Sequence, residues 1–129
     1  MATGDELFER LTALAVRIIK LSQALPRDVV GQHVARQLLK SGTSAGANYE
    51  EARGAESRAD FIHKLGIVLK ELKEARYWLM VTSRTELTRS PGLGPVLSEC
   101  EELCAIIGKS ILTAKKNRPR KKGGRPGSS

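Results

Sequence analysis

Cysteine and histidine are scarce in this 129-residue sequence, with two of each, and that scarcity removes whole classes of chemistry. A di-iron bundle needs Glu-x-x-His twice plus two further carboxylates. Here Val30 precedes His33 by three and Asp60 precedes His63 by three, so neither completes the motif. Cys100 and Cys104 supply two ligands, too few to serve a metal site well; lying four apart in one helical pattern, they share a face and read as small core residues. No metal and no cofactor are expected. The chain has no phosphate-cradling Gly-rich loop ending in Lys-Ser/Thr, no GxSxG elbow, and no visible base for either thiol. A non-enzymatic protein is expected. There is no run of about 18 uninterrupted apolar residues and no charged start followed by an apolar stretch, so the protein is expected to be cytoplasmic, with no membrane partner.

An excess of one sign of charge is also nearly absent from most of the chain, despite a formal net charge of +8. Residues 115–129 hold Lys115, Lys116, Arg118, Arg120, Lys121, Lys122 and Arg125 and no acid, so seven of the eight net charges lie there and residues 1–114 carry only +1. This segment is rich in Gly, Pro and Ser, a composition that cannot bury enough apolar surface to offset the entropy of ordering. The expected organisation is one folded unit over 1–114 and a disordered basic tail over 115–129.

What fills 1–114 is helical periodicity, with no competing strand pattern and no internal repeat. Thr3-Gly4-Asp5-Glu6 fits a capping box, and Leu7, Leu11, Leu14, Ile18, Leu21 and Leu25 recur at steps of three and four, with Phe8 and Ile19 widening the stripe, until Pro26. Asp28 is placed to cap a second helix whose stripe runs Val30, Val34, Leu38, Ala45, Tyr49, Ala52. Gly31, Gly42, Gly46 and the Ser41, Thr43, Ser44 cluster weaken that helix, each Gly by about 0.8–1 kcal/mol against Ala, but residues without bulk allow close helix approach. One helix is expected, with a kink foreseen near Gly42. Ser57 with Asp60 opens a third helix with the seam Phe61, Leu65, Val68, Leu72, Ala75, Leu79; after the breakers Pro91, Gly92 and Gly94, Pro95 sits in the first turn of a fourth that reads Val96, Cys100, Leu103, Ile107, Ile111, Ala114. The expected helices span about 4–25, 28–54, 58–83 and 95–116, and their short connections favour an all-α, antiparallel up-down-up-down four-helix bundle.

The stretch from Gln37 to Leu79 carries a further signal in Gln37, Lys40, Ser41, Ser44, Asn48 and Glu51, then Asp60-Phe61-Ile62, Lys64-Leu65, Lys70-Glu71 and Tyr77-Trp78-Leu79. This spacing resembles the bacterial four-helix-bundle proteins of intervening sequences in 23S ribosomal RNA genes, over about Leu7 to Asn117, with the accessory protein of diversity-generating retroelements as a more distant relative. The resemblance implies continuity of the second helix and assembly as a homopentamer, a ring of bundles. It is specific for fold and assembly and says little about activity.

Asn48, Glu51, Lys64, Lys70 and Glu71 match positions of that pattern. Asn48 and Glu51, three apart, share one helix face, as do Lys64 and Glu71, seven apart. They read as a structural polar layer that fixes helix register or a subunit contact; a ligand site and plain solvated residues are the alternatives. Tyr77 and Trp78 point about 100° apart on an ideal helix, which leaves either one for a subunit interface or for core. The seven basic tail residues are candidates for nucleic-acid contact by counterion release, against a solubilising extension or an anionic membrane surface. With no aromatic in the tail, base stacking must come from elsewhere. The functional reading is an oligomeric, non-enzymatic bundle that binds RNA or DNA backbone; the runner-up is an accessory scaffold for a protein partner such as a reverse transcriptase.

Overall fold

Side-chain oxygens set where three of the four helices begin. Residues 3–117 are described by the computed structural model, in which α1 (Gly4–Gln23), α2 (Val29–Arg53), α3 (Arg58–Arg84) and α4 (Leu93–Lys116) follow one another, with no strand among these described residues. At α1 the Glu6 amide donates to the Thr3 hydroxyl at 3.1 Å and the Thr3 amide donates to the Glu6 carboxylate at 2.6 Å, a complete capping box. Asp28 accepts from the Gly31 amide at 2.8 Å and Ser57 from the Asp60 amide at 3.0 Å. The fourth helix has no side-chain cap and starts at Leu93, two residues ahead of the expected 95. Pro95 is therefore its third residue, where a missing N–H still falls among the amides that have no partner in a first turn.

The second helix runs unbroken through residues 41–47. Two features keep it so. The Ser41, Thr43 and Ser44 hydroxyls each donate to the carbonyl four residues earlier, so these polar side chains are satisfied within the helix. Gly42 packs directly on Ile18 of α1, an approach that a methyl group would obstruct. Gly31 is required for another reason: a Cβ there would lie 1.9 Å from the Pro26 carbonyl oxygen, so the chain reversal between α1 and α2 admits no side chain. With Gly31 taking the buried position, Val30 is 57% exposed, contrary to its expected place in the apolar stripe. Ile19 likewise lies at the surface at 38% exposure.

The core is continuous across all four helices and centres on Leu11, Leu14, Ile18, Leu38, Leu65, Val68, Leu72, Leu79, Leu103 and Ile107, all fully buried. Burying one such side chain stabilises the fold by about 1.5–3 kcal/mol, far more than any surface pair described below. Sequence neighbours pack against one another, most extensively α2 with α3, and α4 returns to α1 along the thinnest seam. This closes an antiparallel up-down-up-down bundle.

Candidate functional site

The α2–α3 seam carries the polar residues singled out by spacing. Lys64 Nζ lies 4.0 Å from Glu51 across the seam and 3.7 Å from Asp60 one turn earlier on its own helix. Glu51 is 63% exposed, so this pair contributes well under about 1 kcal/mol. Asn48 donates to the Ser44 carbonyl at 2.9 Å, along α2 rather than across it. Lys70 is exposed and makes no ion pair among the described residues. Glu71 is half-buried, and its Oε1 is shielded from solvent with no hydrogen-bond partner among the described residues. The structure thus brings Glu51 to Lys64 and leaves Asn48, Lys70 and Glu71 without a bond across the seam.

An aromatic rung lies on the same pair of helices. Trp78 packs on the core from a half-buried position, and its ring meets His33 of α2 at 5.5 Å and Tyr77 at 5.1 Å, both edge-to-face at 79°. Tyr77 is 56% exposed, and Val30, three residues before His33, is also exposed. Trp78 is therefore anchored in the bundle while Tyr77 presents its ring outward. The part played by His33 was not legible from spacing, because a lone histidine carries no pattern of its own.

Opposite this face, a charged clasp holds the α1–α4 seam. The Arg10 guanidinium donates two parallel hydrogen bonds to Glu99, at 2.9 and 2.8 Å, and reaches Glu102 at 3.0 Å. Such a fork-to-fork pair is both directional and stronger than neutral hydrogen bonds. The hydrogen bond from Arg10 holds the Glu99 carboxyl below the usual carboxylate range, and Glu99 in turn raises Arg10. Sequence inspection missed the clasp, since its partners lie 89 residues apart and neither belongs to a local motif. At the same end of α1, Arg53 of α2 pairs with Asp5 and lies over the Phe8 ring at 5.8 Å.

Cys100 and Cys104 are buried free thiols, as small core residues would be, and Cys100 Sγ donates to the Leu72 carbonyl at 3.3 Å. Its contact with Cys104 and its burial push the Cys100 thiol up, so it stays protonated. Among the described residues no three His, Cys, Asp or Glu side chains gather as a metal site, no hydrogen bond joins a nucleophile to a base, and no helix is long and apolar enough to cross a membrane. Lys115 and Lys116 occupy the exposed last turn of α4, where positive charge complements the helix dipole, and make no ion pair among the described residues. Arg118, Arg120, Lys121, Lys122 and Arg125 lie outside the described residues.

Comparison with known proteins agrees with this architecture. The model of the family described as 23S rRNA-intervening sequence protein matches residues 6–109. No curated protein matches the sequence. Among solved structures, the chain is similar to a protein of unknown function from the S23 ribosomal protein family of Bacteroides thetaiotaomicron, at 36% identity and a TM-score of 0.76 over 84% of this chain and 97% of that one. The family match covers most of the chain and the structural likeness takes in 84% of it, so this protein belongs to the 23S rRNA-intervening sequence protein family.

Proposed function

We propose that the protein is a non-enzymatic, oligomeric cytoplasmic bundle that grips RNA or DNA backbone through its basic C-terminal segment. The observation that supports this reading most is the location of charge: α4 ends in the exposed Lys115 and Lys116 and leads directly into five more basic residues, whereas the rest of the chain is close to neutral. Neutralising up to seven phosphates would release their counterions and give a log-affinity slope of about −6 against log salt on duplex DNA, an upper bound with every cation engaged. A single arm binds weakly and without sequence preference. In a homo-oligomer, a pentamer by the family resemblance, later arms bind intramolecularly and the weak contacts combine wherever the nucleic acid spans them. The exposed Tyr77 beside the anchored Trp78 is the surface we assign to subunit contact.

The test is fluorescence anisotropy with labelled RNA and DNA at several salt concentrations, comparing the full chain with a variant carrying glutamine at all seven basic tail positions. A lower affinity and a flattened slope are expected; an unchanged slope removes the arm from the reading. A second reading, an accessory scaffold for a protein such as a reverse transcriptase, draws on the same aromatic rung. It predicts that partner capture is lost on Tyr77→Ala or on charge reversal along α2 and α3, and survives the tail substitutions.

A further inference from the structure

The α1–α4 register leaves a groove at one end of the bundle. Arg10 sits opposite Glu99 and Glu102, and α1 begins six residues before Arg10, so α4 runs on past the start of α1 for about two turns, roughly 12 Å. The first turn of α3 still flanks this overhang. The result is a groove of about 580 Å³ with walls from Leu7, Phe61, Ile106 and Ala114. That volume falls within the range of about 300–1,000 Å³ common to small-molecule sites.

Two cations stand among the lining residues. Among the described residues Arg58 and Lys109 are exposed and make no ion pair, and no carboxylate lines the groove. The Ser110 hydroxyl is already committed to the Ile106 carbonyl at 3.0 Å, which leaves Thr113 and Asn117 as the other polar neutral groups on the wall. From Ile106 to Asn117 the groove follows α4 for roughly 16 Å, the reach of an extended alkyl chain rather than a compact ring. The chain's own continuation beyond Asn117 is a poor occupant, because its five basic residues would face Arg58 and Lys109.

We propose that this groove binds an amphipathic carboxylate of fatty-acid type. Its alkyl chain lies on Leu7, Phe61, Ile106 and Ala114, and its carboxylate is met by Arg58 and Lys109. The apolar walls supply affinity through desolvation, and the two cations set orientation and favour the carboxylate over neutral amphiphiles of the same length.

Isothermal titration of the full chain with dodecanoate, kept below micelle formation and with helicity followed in parallel, tests this directly. Saturable binding at one per chain is expected, at least tenfold weaker in the Arg58→Gln, Lys109→Gln double variant, whose substitutions are at exposed positions. Dodecanol should bind more weakly than dodecanoate and without the same loss on raising salt, and acetate should not bind measurably. Ser110→Phe, which fills the groove and leaves both cations in place, should also abolish binding. Uptake that never saturates, equal affinity of the double variant, or equal affinity for dodecanol would each overturn the proposal.

Discussion

Replacing Gly42 by alanine sets two effects of known size against each other. Alanine in a helix interior is favoured over glycine by about 0.8–1 kcal/mol, so propensity alone predicts a gain. At Gly42, however, the new Cβ would lie 2.5 Å from Ile18 Cδ1, 2.9 Å from its Cγ2 and 3.2 Å from its Cβ. Ile18 is fully buried and branched, so it cannot withdraw into solvent, and overpacking of this kind costs about 1–3 kcal/mol. The collision should win, leaving Gly42→Ala destabilised by about 1 kcal/mol. Gly66→Ala is the control, since nothing lies within 4 Å of a Cβ there and the full propensity gain should appear. Urea denaturation followed by circular dichroism, at one protein concentration, should separate the two variants by about 2 kcal/mol with similar slopes. Ile18→Val removes the nearest atom, so the double variant Gly42→Ala, Ile18→Val should be less destabilised than the sum of its parts by about 1 kcal/mol. If Gly42→Ala proves as stabilising as Gly66→Ala, the close approach of α1 and α2 is not what requires glycine.

Two further substitutions test the seams. Arg10→Met should cost about 1 kcal/mol near neutral pH, a figure reduced for the partial exposure of both partners. Because the folded Glu99 carboxyl titrates below its unfolded value, that stabilisation is present above the ordinary carboxylate pKa of about 4.3 and is lost as pH falls through the lower folded value. The gap between wild type and variant in urea midpoint should therefore shrink on acidification, and a gap that stays constant to about pH 2 would refute the linkage. Glu71→Met should stabilise the isolated bundle by about 1 kcal/mol, since it removes a shielded carboxylate oxygen that has no partner. Destabilisation accompanied by a lower native mass would instead assign Glu71 to a subunit contact.

Local chemistry was legible because it is written in neighbouring residues. Thr3, Asp28 and Ser57 announced three helix starts, and the stripes through Leu11, Leu38, Leu72 and Leu103 named the core. The start of α4 came out two residues late because proline is tolerated at any of the first few helical positions, so Pro95 does not mark a boundary by itself. Spacing places Val30 in the inward stripe; the backbone approach of Pro26 to Gly31 turns it outward instead, and no side-chain pattern encodes that approach. The Arg10 clasp, the His33–Trp78–Tyr77 rung and the groove beside Phe61 all depend on how far one helix slides along another. That slide is set by packing over the whole bundle, and periodicity specifies which face is buried without specifying the offset.

The unequal seams have a dynamic consequence. With α2 and α3 sharing the broadest interface and α1 meeting α4 along the narrowest, the least expensive excursion from the native state swings the first helix away from the last while the other contacts persist. Amides along that edge should exchange with solvent sooner than those of α3. A bundle that opens as a book does along its lightest margin can admit a guest there without unfolding its spine.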